Sequence, residues 1–126
     1  MSTVLYAQSS GSQQFLGPVP IPGLTLTLPE GVGALALIIL NVPASYAVVA
    51  NFTNGQGGWF GLSVDGTTLP EYAAYNYISS MPLQNVQGRV PATLVVAVPL
   101  KLKPQTVVGL AGNCIIDSPC TLSAIM

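Results

Sequence analysis

Residues Leu24-Thr25-Leu26-Thr27-Leu28 alternate strictly between apolar and polar positions. That period of two predicts a strand with its leucines toward a core and its threonines toward solvent. Pro22-Gly23 is a turn signal opening it, and Pro29-Glu30-Gly31 closes it. Residues 34–40 are continuously apolar, the pattern of a strand covered on both faces. The wider stretch 32–50 is the one segment that resembles a membrane span. Asn41, Pro43 and Ser45 interrupt it short of the ~20 apolar residues a span needs, so it reads as a buried strand pair. Trp59–Val64 predicts a further strand, followed by a tight turn at Asp65-Gly66. Residues 72–78 form an aromatic-rich strand that carries Tyr72, Tyr75 and Tyr77. Residues 93–98 form another between Pro91 and Pro99, and 106–110, 114–116 and 121–125 complete the set.

No stretch keeps a helical period behind a cap. Thirteen glycines and eleven prolines space short strands, the arrangement of a β-sandwich or jelly roll. At 126 residues, with neither a linker nor an internal repeat, the chain reads as a single domain over 1–126.

Composition adds an assembly to this picture. Half of the residues are apolar and 6% are charged, against about 25% in an ordinary soluble domain. Large apolar patches rarely stay exposed, so a homo-oligomer is expected. Arg89, Lys101 and Lys103 are the only cations in a chain of net charge −1. No basic patch can form, which excludes nucleic acid as a partner and a polybasic membrane anchor; no membrane insertion is expected. The opening MSTVLYAQSSGSQQ has no basic region and no apolar run, unlike a signal peptide. Synthesis in the cytoplasm is expected, with action at the cell surface or outside it. Asn51-Phe52-Thr53 matches a glycosylation acceptor by chance on this reading.

Chemistry is restricted by inventory. Histidine is absent, which closes Ser-His-Asp and Cys-His schemes. Cys114 and Cys120 are too few for zinc. Five residues separate them, and a bridge across a turn at Ser118-Pro119 and two small buried side chains both remain open. The carboxylates are Glu30, Asp65, Glu71 and Asp117, of which Glu30 and Asp65 fall in turns. A glycosidase would need two of them across one bond. No catalytic residue, metal or cofactor is expected, and the protein is read as not an enzyme. Binding is easier to supply. A sugar takes an aromatic face for its C–H groups and a few convergent polar groups. Trp59, the tyrosines of 72–77, Asn76 and Arg89 provide such residues.

Several stretches carry a resemblance. They are Ile39-Leu40-Asn41-Val42-Pro43 with Tyr46-Ala47, then Gly88-Arg89-Val90-Pro91-Ala92-Thr93-Leu94-Val95, then Ile116-Asp117-Ser118, and Leu122-Ser123-Ala124-Ile125. In order and spacing the chain from about Leu35 onward resembles the N-terminal lectin domain of the Burkholderia superlectins, and Ile21-Pro22-Gly23-Leu24 extends the likeness. The resemblance implies an all-β, TNF-like jelly-roll β-sandwich that is homotrimeric. It also implies a metal-independent site for fucosylated or related glycans between protomers. Carried over by position, Tyr77 and Asn76 would hydrogen-bond the sugar, and Trp59 would pack on it or donate its N–H. Arg89 would reach in from the neighbouring subunit, with Tyr46 bordering the site and Gln87 a further contact. Two departures stand out. Leu110 occupies the position nearest the family's second arginine, and the run Leu83-Gln84-Asn85-Val86-Gln87 before Gly88 is longer. The alternative is a structural or protein-binding trimer of the same fold that binds no sugar.

Overall fold

The computed structural model describes residues 3–9, 11–15, 17–47, 58–74 and 90–126. Ten strands occur among them: β1 (Val4–Gln8), β2 (Gln13–Phe15), β3 (Val19–Leu28), β4 (Leu35–Ala47), β5 (Trp59–Val64), β6 (Thr67–Ala74), β7 (Val90–Pro99), β8 (Gln105–Gly112), β9 (Cys114–Ile116) and β10 (Thr121–Ile125). All pairings are antiparallel. One sheet is built on β4, which pairs with β7 along one edge. Its other edge takes β10, backed by β1, and then β9, backed by β2. The second sheet runs β3-β8-β5-β6. The two face each other as a β-sandwich.

The core follows from the alternation. Leu24, Leu26 and Leu28 are buried while Thr25 and Thr27 are exposed, as the period of two requires. Opposite them lie Ala36, Ile38, Leu40 and Val42 from β4 and Leu94, Val96 and Val98 from β7, while Phe60 and Leu62 from β5 fill the core from their own sheet. Asp65 and Gly66 both have positive φ, 51° and 83°, the hairpin turn whose twist matches the flanking strands. Asp65 also ties the turn to β8: its N–H donates to Thr106 O and its Oδ1 accepts from Thr106 N–H, both at 2.9 Å.

Three expectations are corrected. Pro22-Gly23 does not open a strand; β3 begins at Val19 and passes through both residues with a register shift between Pro20 and Thr25. Gly23 has φ +87°, and a Cβ there would stand 3.0 Å from Gln8 O, so the bulge needs glycine. The stretch around Asn41, Pro43 and Ser45 is not a strand pair. β4 runs on to Ala47, absorbing Pro43 in a register shift between Val42 and Ser45, as proline is tolerated at bulges. Residues 34–40 are not covered on both faces either: Leu35 and Leu37 lie exposed.

Cys114 and Cys120 are buried and free. Ser9 closes the turn before β10, its Oγ accepting from Cys120 N–H at 2.8 Å. Burial, with Cys120 adding to it, pushes the Cys114 thiol from 9.0 up to about 12. Burial also raises Cys120, against the lowering effect of the Ser9 hydrogen bond. Between 9.0 and about 12 the folded state therefore keeps a proton that the unfolded chain has lost. Stability is fully present below that window and falls as pH rises through it, by about 1.4 kcal/mol per pH unit for Cys114. Urea titrations across this range should show a shallower decline for Cys114→Ala than for the parent chain. Equal slopes would assign the alkaline loss to other groups.

Candidate functional site

Antiparallel pairing gathers the termini of six strands at one end of the sandwich. Trp59 opens β5 opposite Ala74, which closes β6. Ser45, near the end of β4, pairs with Val90, which opens β7. Gly112 pairs with Trp59 and, two residues on, Cys114 pairs with Ala47. The passage from β8 to β9 thus joins the two sheets here. Trp59 and Tyr46, on strands of different sheets, come to the same end of the fold.

Phe60 and Leu62 point into the core, so Trp59 and Gly61 face outward. The half-buried indole folds back along its own strand over Gly61. A Cβ on Gly61 would lie 2.8 Å from Trp59 Cζ2 and closer still to Cη2. Beyond Gly61 the indole stacks on Tyr72, its partner across the pair, with centroids 6.2 Å apart and planes at 26°. Tyr72 is 60% exposed. The pair forms an aromatic shelf on the outer face of the second sheet, and glycine is what lets the indole lie flat on it. Gly61→Ala should expel the indole at a cost of about 1–3 kcal/mol. As Trp59 is the single tryptophan, its emission reports the change: a red shift with a lower Tm is expected. Unchanged emission would mean that the ring does not lie on Gly61.

Leu110 pairs with Gly61 and, like it, faces outward. It is 7% exposed yet lies outside the core cluster. Tyr46 is half-buried, opposite Ile115. Asn76, Tyr77, Gln87 and Arg89 lie outside the described residues, as do Tyr75 and residues 48–57. Tyr72 was legible as one of three tyrosines within 72–77, but its stacking on Trp59 needed the β5–β6 register.

Two of the four carboxylates lie elsewhere. Asp65 and Glu71 line a groove of about 410 Å³ between β6 and β7, toward the opposite end. No group of three or more His, Cys, Asp or Glu gathers among the described residues.

The family model for the Bc2l-C N-terminal domain matches residues 5–125. The chain belongs to this family. It is the superlectin N-terminal lectin domain that the stretches from Leu35 onward resemble, and the match reaches back across β1, β2 and β3, farther than those stretches do. None of the curated proteins matches the chain. Within this lectin-domain family the departure at Leu110 now has a place. An apolar side chain is packed beside Gly61, next to the aromatic shelf, where the resemblance puts a cation.

Proposed function

We propose that the protein is a metal-independent carbohydrate-binding protein, a TNF-like jelly-roll lectin that acts as a homotrimer and binds fucosylated or related glycans between protomers. Membership of the Bc2l-C N-terminal domain family over residues 5–125 carries the reading. The strand order supports the jelly-roll part: β1-β10-β4-β7 faces β3-β8-β5-β6, two four-stranded sheets of the kind that make the double-sheet wrap. The short strands β2 and β9 extend the first sheet along the far half of β4.

The outer face of that first sheet supports the assembly. Register sets its outward side chains in rows. Val4, Ile125, Leu37 and Ala97 form one row, and Tyr6, Ser123, Ile39 and Val95 the next. Val4, Tyr6, Leu37, Val95 and Ile125 are all exposed in the protomer. The third row, Gln8, Thr121, Asn41 and Thr93, is polar, with Thr93 Oγ1 donating to Asn41 Oδ1 at 3.0 Å. An apolar field edged by a polar row is the anatomy of a subunit interface.

For the sugar, Trp59 and Tyr72 supply the aromatic face, with Tyr46 at the same end. Asn76, Tyr77 and Gln87 would add hydrogen bonds, and a neighbour's Arg89 would chelate adjacent hydroxyls through its planar fork. With Leu110 in place of the second arginine, packing takes a larger share of recognition than charge. Three weak sites on one trimer would gain avidity by a factor of ~10²–10⁴ on glycans spaced to match. Catalysis is not part of this proposal; of the two carboxylates that share a groove, Asp65 already spends Oδ1 on the Thr106 N–H.

A glycan array probed with the assembled protein tests the reading, with fucosylated, galactosylated and mannosylated structures side by side and a parallel run in EDTA. A fucose signal that persists in EDTA and disappears in both Tyr77→Ala and Arg89→Ala is expected. A signal for another sugar would retain the lectin and reject fucose. Silence from a well-folded trimer would favour the structural or protein-binding alternative, which the buried Leu110 supports.

A further inference from the structure

The end of the sandwich opposite the aromatic shelf holds a cavity of about 590 Å³. Three connections form it: the β3–β4 loop, the Asp65-Gly66 turn and the β7–β8 loop. Its walls are built rather than loose. Gly31 N–H donates to Lys101 O at 2.7 Å, and Leu100 N–H donates to Ala34 O at 3.0 Å, which zips the two long loops together. Gly31 also packs against Leu100 so closely that a Cβ on it would stand 2.9 Å from Leu100 Cδ1. Asp65 is held by its two hydrogen bonds to Thr106.

Three observations point to a ligand. Gln105, 2% exposed, lines the wall shared by this cavity and the adjoining β6–β7 groove, and its Oε1 is buried with no hydrogen-bond partner among the described residues. Buried amide oxygens almost always have a donor, so this one is an acceptor waiting for one. Second, Lys101 and Lys103, two of the chain's three cations, both line the cavity. Third, Val32 and Leu102 stand at its rim 76% and 75% exposed, with Leu100 behind them. The site thus offers two ammonium groups, acceptors in Gln105 and Asp65, and an apolar ledge. A ligand that meets all of these carries an anionic group, hydroxyls that donate, and a C–H face.

We propose that this cavity is a second binding site, which takes an acidic sugar unit: a saccharide ring bearing a carboxylate or a sulfate. The ring packs its C–H face on Leu100, Leu102 and Val32. A hydroxyl donates to Gln105 Oε1 after a small turn of the amide, and another to Asp65. The anionic group lies between Lys101 and Lys103, which as point charges accept either anion. Nothing in this depends on the fucose reading, since none of its residues lies at the Trp59 end.

The test uses the assembled full chain with methyl-labelled leucine and valine, followed by NMR during titration with glucuronic acid, glucose 6-sulfate or glucose. Glucuronic acid or glucose 6-sulfate is expected to shift the Leu100, Leu102 and Val32 methyls at millimolar concentration or below, and the acid that binds more tightly names the anion. Glucose should bind at least tenfold more weakly. Lys101→Gln with Lys103→Gln, at exposed positions, should erase that difference. Gln105→Leu should weaken all binding tenfold or more, and because Gln105 is buried its folding is checked by the same spectra. Equal binding of glucose and the acids, or no methyl shift with any probe, would overturn the proposal. A silent fucose array would leave it standing, because these probes lack fucose and these methyls lie at the other end.

Discussion

Leu37→Asp combined with Val95→Asp is expected to convert the proposed assembly into folded monomers. The two side chains lie on adjacent strands in neighbouring rows of the outer β1-β10-β4-β7 face, 40% and 53% exposed in the protomer. A carboxylate at either position costs the isolated protomer little, because water already reaches it. In a subunit interface the same carboxylate must shed its water, and neither lysine is there to receive it. Arg89, Lys101 and Lys103 are the only cations, and neither lysine lies on this face. The effective penalty for an unpaired buried ion is several kcal/mol, and about 4 kcal/mol already raises a dissociation constant a thousandfold. Sedimentation velocity should show the monomer, with circular dichroism unchanged. If Arg89 of one protomer completes the glycan site of the next, the monomer should also lose glycan binding. A double variant that keeps its assembly would place the interface on another face, and a monomer that binds as well as the parent would place the whole site within one chain.

Phe60→Ala is expected to remove about 3–5 kcal/mol of stability, a large part of the 5–15 kcal/mol typical of a domain. Phe60 is 1% exposed on β5, an interior strand of the second sheet. Its cross-strand partners are Ala73 on β6 and Ala111 on β8. The ring fills the space that two alanines leave, and neither neighbour has side chain to fold into the hole. A cavity that cannot collapse retains its full cost. Denaturant titration should show the midpoint falling with little change in slope. A loss below about 1 kcal/mol would mean that the strands close over the gap. By contrast, Gly61→Ala one residue along the same strand acts outward, on the Trp59 shelf.

Much of the strand pattern could be read from the residues. The Leu-Thr alternation placed three leucines of β3 in the core, Trp59–Val64 and Thr121–Ile125 fell at their observed bounds, and Asp65-Gly66 made the hairpin turn. These features are local: side-chain period and turn chemistry act within a few residues. β1 and β2 went unread because Val4–Gln8 and Gln13–Phe15 have neither turn brackets nor a long alternation, and they hold through partners near the far end of the sequence. Pro43 and Pro22-Gly23 misled for a related reason. A proline or glycine signals an interruption locally, but a bulge lets a strand continue when both flanks are already paired.

The site divides in the same way. The sequence by itself determined the class of chemistry: no histidine, four carboxylates, three cations and a cluster of aromatics. The ordered motifs determined the family, which the match over residues 5–125 established. Only the tertiary structure decided that Trp59 lies over Gly61 onto Tyr72, because that contact depends on the β5–β6 register. It alone showed that the apolar run 34–40 buries one face and leaves the other open, since hydropathy reports that a face must be covered and not whether the cover is the same chain. It alone brought Gln105, Asp65 and the two lysines around one cavity. Lys101, Lys103 and Gln105 follow one another closely where β7 passes into β8, but Asp65 comes from the β5–β6 turn, and only the fold makes it their neighbour.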